Sequence, residues 1–159
     1  MLIFFLRNDD SLNSAVDIGQ IEGAFVQGLG LFTMEELVWG DSEHPWVRPG
    51  QLFTAGPGLY KIPSFGDLPH RFQLRLLDDS PNPRTIHSSK AVGEPPFFLG
   101  ASAFFAARRA IAAALQEHGE DSWFPLDSPA SSERIRMACR DDITDGLRLP
   151  KNYRARGSV

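Results

Sequence analysis

Four glycines lie inside one apolar, helix-forming stretch, and this feature constrains the fold of the 159-residue chain more than any other. Apolar side chains recur at spacings of three and four between residues 13 and 37, which predicts a helix with one apolar face (Ile18, Ile21, Phe25, Leu29 and Phe32). Gly19, Gly23, Gly28 and Gly30 each cost up to about 1 kcal/mol relative to Ala in a helix interior. They therefore indicate that something packs very close to the helix backbone, either another element of the fold or a bound ligand.

The start and the polar face of this helix carry two further signals. Ser14, Ala15, Val16 and Asp17 fit a capping box with an acidic residue at its fourth position. Gln20 and Gln27 are seven residues apart, which is two helical turns, so they share one face. From spacing alone, each is expected to be a surface amide or a locally hydrogen-bonded amide.

Composition excludes several classes of protein. Hydrophobic residues make up 42% and charged residues 23% of the chain, as in ordinary globular domains. The net charge of -4 provides no broad basic field, so nucleic-acid binding is not expected. No run reaches the roughly 18 apolar residues that span a bilayer, so we expect no membrane partner. A single cysteine, Cys139, and four histidines without ligand spacing (His44, His70, His87 and His118) predict no metal held by protein side chains.

The order of the remaining elements predicts an α+β fold. Residues 1–6 and the alternating segment 72–77 are predicted strands, and residues 85–88 should pair with the second to give a small, mostly antiparallel sheet. One short strand is expected near Leu52. A long helix should run from Pro95 to about His118, with its first half deeply buried and Gly119 ending it.

The C-terminal end is predicted to hold one short helix and a tail. Ser128 is the expected N-cap, and the helix should end near Asp142. We therefore divide the chain into a domain segment, residues 1–143, and an irregular polar tail, residues 144–159.

Glu94 is the conspicuous candidate for chemistry. It stands between Gly93, which allows a close backbone approach, and Pro95, which favours the first position of a helix. A carboxylate at this position either caps the helix N-terminus or lies in a pocket as a general base. Desolvation would raise the pKa of this carboxylate and the helix dipole would lower it, so spacing alone leaves both hypotheses open.

Four motifs together resemble the molybdenum hydroxylase family. They occur in the family's order and fall within residues 12–139: DIGQIEGAFVQGLG at 17–30, YKIP at 60–63, SSKAVGEPP at 88–96, and LDSPA at 126–130 followed by ERIR at 133–136. Within the family, VGEPP and the WGD at 39–41 resemble the eukaryotic, plant-like xanthine dehydrogenases. Animal aldehyde oxidases usually read Gly-Glu-Ser-Gly at the corresponding place, which leaves an aldehyde oxidase-type segment as an alternative.

The resemblance implies the roles of the site residues. The family binds a molybdenum–molybdopterin cofactor whose metal is held by the pterin and by no protein side chain. Its general base falls on Glu94, and a glutamine that contacts the cofactor falls on Gln20. The loop along the pterin corresponds to Lys90, Ala91, Val92 and Gly93.

The resemblance also implies the reaction and the partners. Hypoxanthine and xanthine would be hydroxylated to urate with oxygen from water, and electrons would leave through [2Fe-2S] clusters and FAD to NAD or oxygen. Those redox groups belong to upstream domains without a counterpart here, so we expect a C-terminal piece of a cytoplasmic or peroxisomal homodimer that is inactive alone. A non-catalytic binding protein derived from such a segment is the alternative.

Overall fold

The computed structural model describes residues 3–7, 11–77, 81–86, 91 and 93–147. These residues form helices and one small sheet, which confirms the α+β class. Contacts divide the chain into two compact units, one made of Met1–Leu29 and Pro63–Gly100 and the other of Gly30–Ile62 and Ala101–Val159. The predicted boundary at residue 143 falls inside a short helix, Asp142–Asp145, and the predicted tail lies largely outside the described residues.

The glycine-rich stretch forms helix α1, Ser14–Thr33. Its first turn is capped by Asn13, whose Oδ1 accepts from the backbone N–H of Ala15 at 3.1 Å. The predicted capping box led by Ser14 is therefore wrong by one residue, because Ser14 already has helical geometry and Asn13 supplies the acceptor. The helix ends four residues earlier than the predicted limit at Leu37.

In the first unit the apolar face of α1 packs against Phe72, the residue that precedes strand β2. Ile21 and Phe25 are buried, and the ring of Phe25 meets that of Phe72 edge to face at a centroid distance of 5.3 Å. Strand β1 (Ile3–Arg7) and strand β2 (Gln73–Leu77) form a parallel pair in which Ile3 lies opposite Gln73.

The prediction of a mostly antiparallel sheet is wrong for the described residues. The segment expected to pair with β2 begins in a turn instead, because Asn82 Oδ1 accepts from Arg84 N at 3.3 Å and Asn82 O accepts from Thr85 N at 3.2 Å. Residues 87–88 lie outside the described part. The antiparallel pairing that the structure does describe is one isolated bridge between Trp39 and Leu52, close to the short strand predicted there.

The second unit has its own apolar core around helix α2, Ala101–Glu117. Ile111, Leu115 and Phe124 are buried together, with Leu126, Ile135 and Cys139 packed against them. Gly119 ends the helix as predicted: it has a φ of +79°, and Glu120 N donates to Leu115 O at 2.9 Å.

Helix α3 covers Ser132–Ala138, and helix α4 covers Asp142–Asp145. The N-cap of α3 is Ser131, whose side chain accepts from Arg134 N. The prediction of Ser128 as the cap is wrong, because the Ser128 hydroxyl donates to Leu31 O at 3.3 Å instead.

The predicted long helix is a 3₁₀ segment, Pro95–Gly100, that continues into α2. Its first half is not deeply buried, because Phe98 is 70% exposed and Phe105 is 55% exposed. By length and composition alone the 23-residue helix Pro95–Glu117, which contains an 18-residue window with a mean hydropathy of 1.4, could cross a membrane, a test that the core helix of a soluble protein also passes. Arg108 and Arg109 interrupt this helix, so it is not the unbroken run of about 18 apolar residues that the sequence analysis excluded, and the absence of a membrane partner stays a prediction.

Candidate cofactor and base site

An open cleft runs along one side of α1 in the first unit. Its volume is about 540 Å³, and its lining includes Gly19, Gln20, Gly23, Gln27 and Gly93. Gln20 and Gln27 therefore share one face, as their spacing predicts. We call this space the glutamine cleft.

Three of the four glycines of α1 divide into two groups. A Cβ atom on Gly19 or Gly23 would meet nothing within 4 Å, so the helix backbone is bare where it lines the cleft. A Cβ on Gly28 would lie 1.9 Å from the carbonyl oxygen of Phe97. Close packing therefore explains Gly28, whereas Gly19 and Gly23 leave room for a ligand.

Gln20 and Gly93 come together across the glutamine cleft. The Gln20 Oε1 atom lies 3.2 Å from the position that a Cβ on Gly93 would occupy. Any larger side chain at residue 93 would crowd this amide. The structure thus brings together two of the predicted cofactor-binding residues, which are separated by 73 positions in sequence.

Glu94 lies in an adjoining cavity of about 500 Å³ that is lined by Ala91, Gly93, Pro95, Phe97 and Phe98. We call this space the glutamate cavity. Gly93 lines both spaces, so it connects the base candidate with the amide candidate.

The Glu94 side chain is exposed, and its backbone oxygen accepts from Phe97 N at 2.9 Å. Among the described residues its carboxylate has neither a hydrogen bond nor an ion pair, so it caps no helix there. The capping hypothesis consequently has no support in this geometry.

The loop before Glu94 has an unusual backbone. Ala91 has a φ of 51°, in the left-handed region that residues other than glycine rarely adopt. Such a conformation persists only where the surroundings enforce it, and it often accompanies binding sites. The other two predicted loop residues, Lys90 and Val92, lie outside the described residues.

Sequence reasoning missed two polar contacts in the second unit. The Tyr60 hydroxyl donates to Glu35, and this hydrogen bond, with burial, raises the pKa of Tyr60. Arg134 Nη2 lies 2.6 Å from Glu36 Oε1. The YKIP motif pointed to Tyr60, but nothing in the sequence pairs Arg134 with a residue 98 positions away.

Across the described residues, no group of three His, Cys, Asp or Glu side chains could hold a metal ion. Amide groups, bare helix backbone and two carboxylates, those of Glu22 and Glu94, line the two spaces instead. This donor set suits the polar edge of an organic ligand.

Comparison with known proteins identifies the family of this chain. The model of the molybdopterin cofactor-binding domain matches residues 10–69. Over 134 residues, 84% of this chain, the sequence is 63% identical to xanthine dehydrogenase of Oryza sativa subsp. japonica and 62% identical to xanthine dehydrogenase 2 of Arabidopsis thaliana. The chain belongs to the xanthine dehydrogenase family. It is also 58% identical to xanthine dehydrogenase/oxidase of Gallus gallus over 134 residues.

The chain spans about one tenth of the length of the relatives it matches. It corresponds to part of the molybdopterin-binding region of this family of oxidoreductases, whose members carry their iron–sulfur clusters and FAD in other domains. The glutamine cleft fits the pterin, because Gln20 offers both an amide donor and an acceptor beside bare backbone at Gly19 and Gly23.

Proposed function

We propose that this chain is the part of a xanthine dehydrogenase that supplies the general base, Glu94, for the hydroxylation of hypoxanthine and xanthine to urate. The observation that carries the proposal is the Glu94 carboxylate, which lies in a cavity without a described partner and directly follows Gly93. A general base needs an available lone pair facing its substrate, and no hydrogen bond or ion pair with a described residue occupies the carboxylate oxygens of Glu94.

Residues of the glutamine cleft would bind the cofactor, and Glu94 in the glutamate cavity would transfer the proton. The Gln20 amide and the bare backbone at Gly19 and Gly23 would hold the pterin, and the loop of Lys90, Ala91, Val92 and Gly93 would lie along it. The molybdenum–pterin group, when bound, supplies the oxidising centre and activates a water-derived oxygen. Glu94 would accept the proton from that oxygen nucleophile as it attacks the purine.

The complete enzyme would be a cytoplasmic or peroxisomal homodimer. Its other domains would pass the electrons through [2Fe-2S] clusters and FAD to NAD or oxygen. The 159-residue chain lacks a described site for these groups and would therefore be inactive alone.

A chimaeric enzyme tests this proposal. The 134 aligned residues of the rice enzyme are replaced by those of this chain, and Glu94→Gln is compared with Glu117→Gln, a change at an exposed helix end. Loss of a general base typically costs about 100- to 10,000-fold in rate. We expect that loss in the rate of molybdenum reduction by xanthine for Glu94→Gln only, with unchanged molybdenum content. A normal rate for Glu94→Gln would show that Glu94 is not the base.

Gln20→Ala in the same chimaera separates binding from chemistry. We expect it to lower the molybdenum and pterin content of the purified protein more than the rate per occupied site. Gln51→Ala, at an exposed glutamine outside the cleft, is the control. An unchanged cofactor content for Gln20→Ala would remove Gln20 from the pterin site.

A further inference from the structure

Gln27 lies in the glutamine cleft, but the proposed function gives it no role. Its side chain is exposed, and it lines the cleft together with Gln20, two helical turns away. Among the described residues the Gln27 amide has no hydrogen bond, so it is not the locally hydrogen-bonded amide that its spacing allows. Because an amide carries both a donor and an acceptor, Gln27 can pair with either kind of polar atom on a ligand in this cleft.

A row of bare backbone leads along α1 to Gln27. Gly19, Gly23 and Gln27 follow one another at intervals of four residues, which places them one above the other on the same side of the helix. A Cβ on Gly19 or Gly23 would meet nothing within 4 Å, so Gln27 is the first side chain of this row. A flat ligand that lies on the two glycines would therefore reach the Gln27 amide at the C-terminal end of the row.

We propose that Gln27 is a second cofactor-binding residue of this segment, and that its amide hydrogen-bonds the organic part of the molybdenum–pterin group at the end of the cleft remote from Gln20. The proposal rests on the proposed function, in which the pterin lies in this cleft. Seven residues of an α-helix span about 10 Å, so two amides at this separation would meet opposite ends of a fused heterocycle. The cleft volume of about 540 Å³ is within the usual range for an organic ligand.

The chain packs closely beside both amides. At one end of the cleft, Gln20 Oε1 lies 3.2 Å from the position of a Cβ on Gly93. At the other end Gly28 directly follows Gln27, and a Cβ on Gly28 would lie 1.9 Å from Phe97 O. A side chain that starts from a backbone fixed in this way loses less entropy when it binds a ligand. Gln20 and Gln27 would thus hold the cofactor at two points.

A cofactor titration measures the contribution of Gln27 to affinity. The rice chimaera with the 134 aligned residues of this chain is purified without cofactor and titrated with molybdopterin, and the bound fraction is measured by the fluorescence of the oxidised pterin. Gln27→Met removes the amide but keeps the length of the side chain. We expect the Kd to rise about three- to tenfold, as for the loss of one hydrogen bond, with an unchanged number of binding sites. Gln51→Met, at an exposed glutamine outside the cleft, is the matched control and should leave the Kd unchanged.

Hydrogen exchange separates a lost contact from a damaged helix. It is measured on the α1 amides of the 159-residue chain without cofactor. Because the Gln27 side chain is exposed, we expect the same protection in Gln27→Met as in the unchanged chain. A loss of α1 protection in this variant would make any rise in the Kd a structural effect and would overturn the inference.

Two results of the titration would also overturn it. An unchanged Kd for Gln27→Met would make Gln27 a surface amide, and fewer binding sites at an unchanged Kd would assign its amide to the folding of the enzyme. The variant Gln20→Ala distinguishes this failure from that of the proposed function. If Gln20→Ala raises the Kd and Gln27→Met does not, the inference fails and the proposed pterin site stands. If neither variant changes the Kd, the pterin does not lie in the glutamine cleft and both fail.

Discussion

Gly28 and Gly100 are in backbone contact where α1 meets the end of the Pro95–Gly100 segment. A Cβ atom on Gly100 would lie 2.4 Å from the carbonyl carbon of Gly28, and a Cβ on Gly28 would lie 3.3 Å from the Cα of Gly100. Neither residue can carry a side chain without moving one of the two backbones. This contact fixes the segment that follows Glu94 against the helix that carries Gln20.

Gly28→Ala should therefore destabilise the first unit. The added methyl would meet backbone atoms rather than a flexible side chain, and such overpacking costs about 1–3 kcal/mol. Hydrogen exchange of the α1 amides in the 159-residue chain measures the effect, and we expect faster exchange. Retained protection of these amides would show that the two backbones separate without cost.

Gly23→Ala should have the opposite effect on the same helix. The added methyl meets nothing within 4 Å, and Ala is favoured over Gly by about 1 kcal/mol in a helix interior. We expect slower exchange of the α1 amides in the chain, but a lower pterin content in the rice chimaera, because the methyl would occupy the glutamine cleft. Full pterin content in the chimaera would argue against a ligand on the bare backbone.

Arg134→Gln should lower the stability of the second unit and should widen the pH range over which that stability changes. Burial raises the pKa of Glu36 above its usual 4.5, and Arg134 opposes this shift. Because the folded pKa is raised, the favourable contribution of Glu36 is complete below pH 4.5 and is lost as the pH rises through the folded pKa.

Without Arg134 the pKa of Glu36 should rise further, so this loss should extend to higher pH. The side chains of Arg134 and Glu36 are only 17% and 14% exposed. An acceptor such as Glu36, left unpaired at a site of this kind, costs about 1–3 kcal/mol of stability at neutral pH. Hydrogen exchange of the α3 amides between pH 5 and 8 measures it, with the exposed Arg109→Gln as control. Equal protection in both variants would show that the ion pair contributes nothing.

Asp141 should make the capping of helix α4 depend on pH in the opposite direction. Hydrogen bonds from Thr144 N and the Arg136 side chain lower its pKa from 3.8 to about 2. The capping of α4 should thus be complete above pH 3.8 and should be lost as the pH falls through about 2. The amide proton shift of Thr144 should titrate with that midpoint. In Asp141→Asn, which keeps a capping acceptor without a titratable group, the titration should disappear; its persistence would assign it to another carboxyl.

Periodicity in the sequence determined which stretches form the principal helices and where one of them stops. Ile21 and Phe25 recur at helical spacing and are buried, and Gly119 adopts the positive φ that ends α2. These features are local, because they depend on spacing and on the backbone freedom of single residues. The motifs around Gln20 and Glu94 likewise identified the family before any geometry was known.

Tertiary structure decided which partner each local element meets. A strand pattern specifies alternating faces but not the neighbouring strand. In the structure β2 pairs in parallel with β1, and residues 85–86, the described part of its expected partner, form no strand. The glycines of α1 are indistinguishable in sequence. Only the approach of Phe97 and Gly100 separates Gly28, which packs, from Gly23, which lines a cleft, because packing depends on chain segments some 70 residues away.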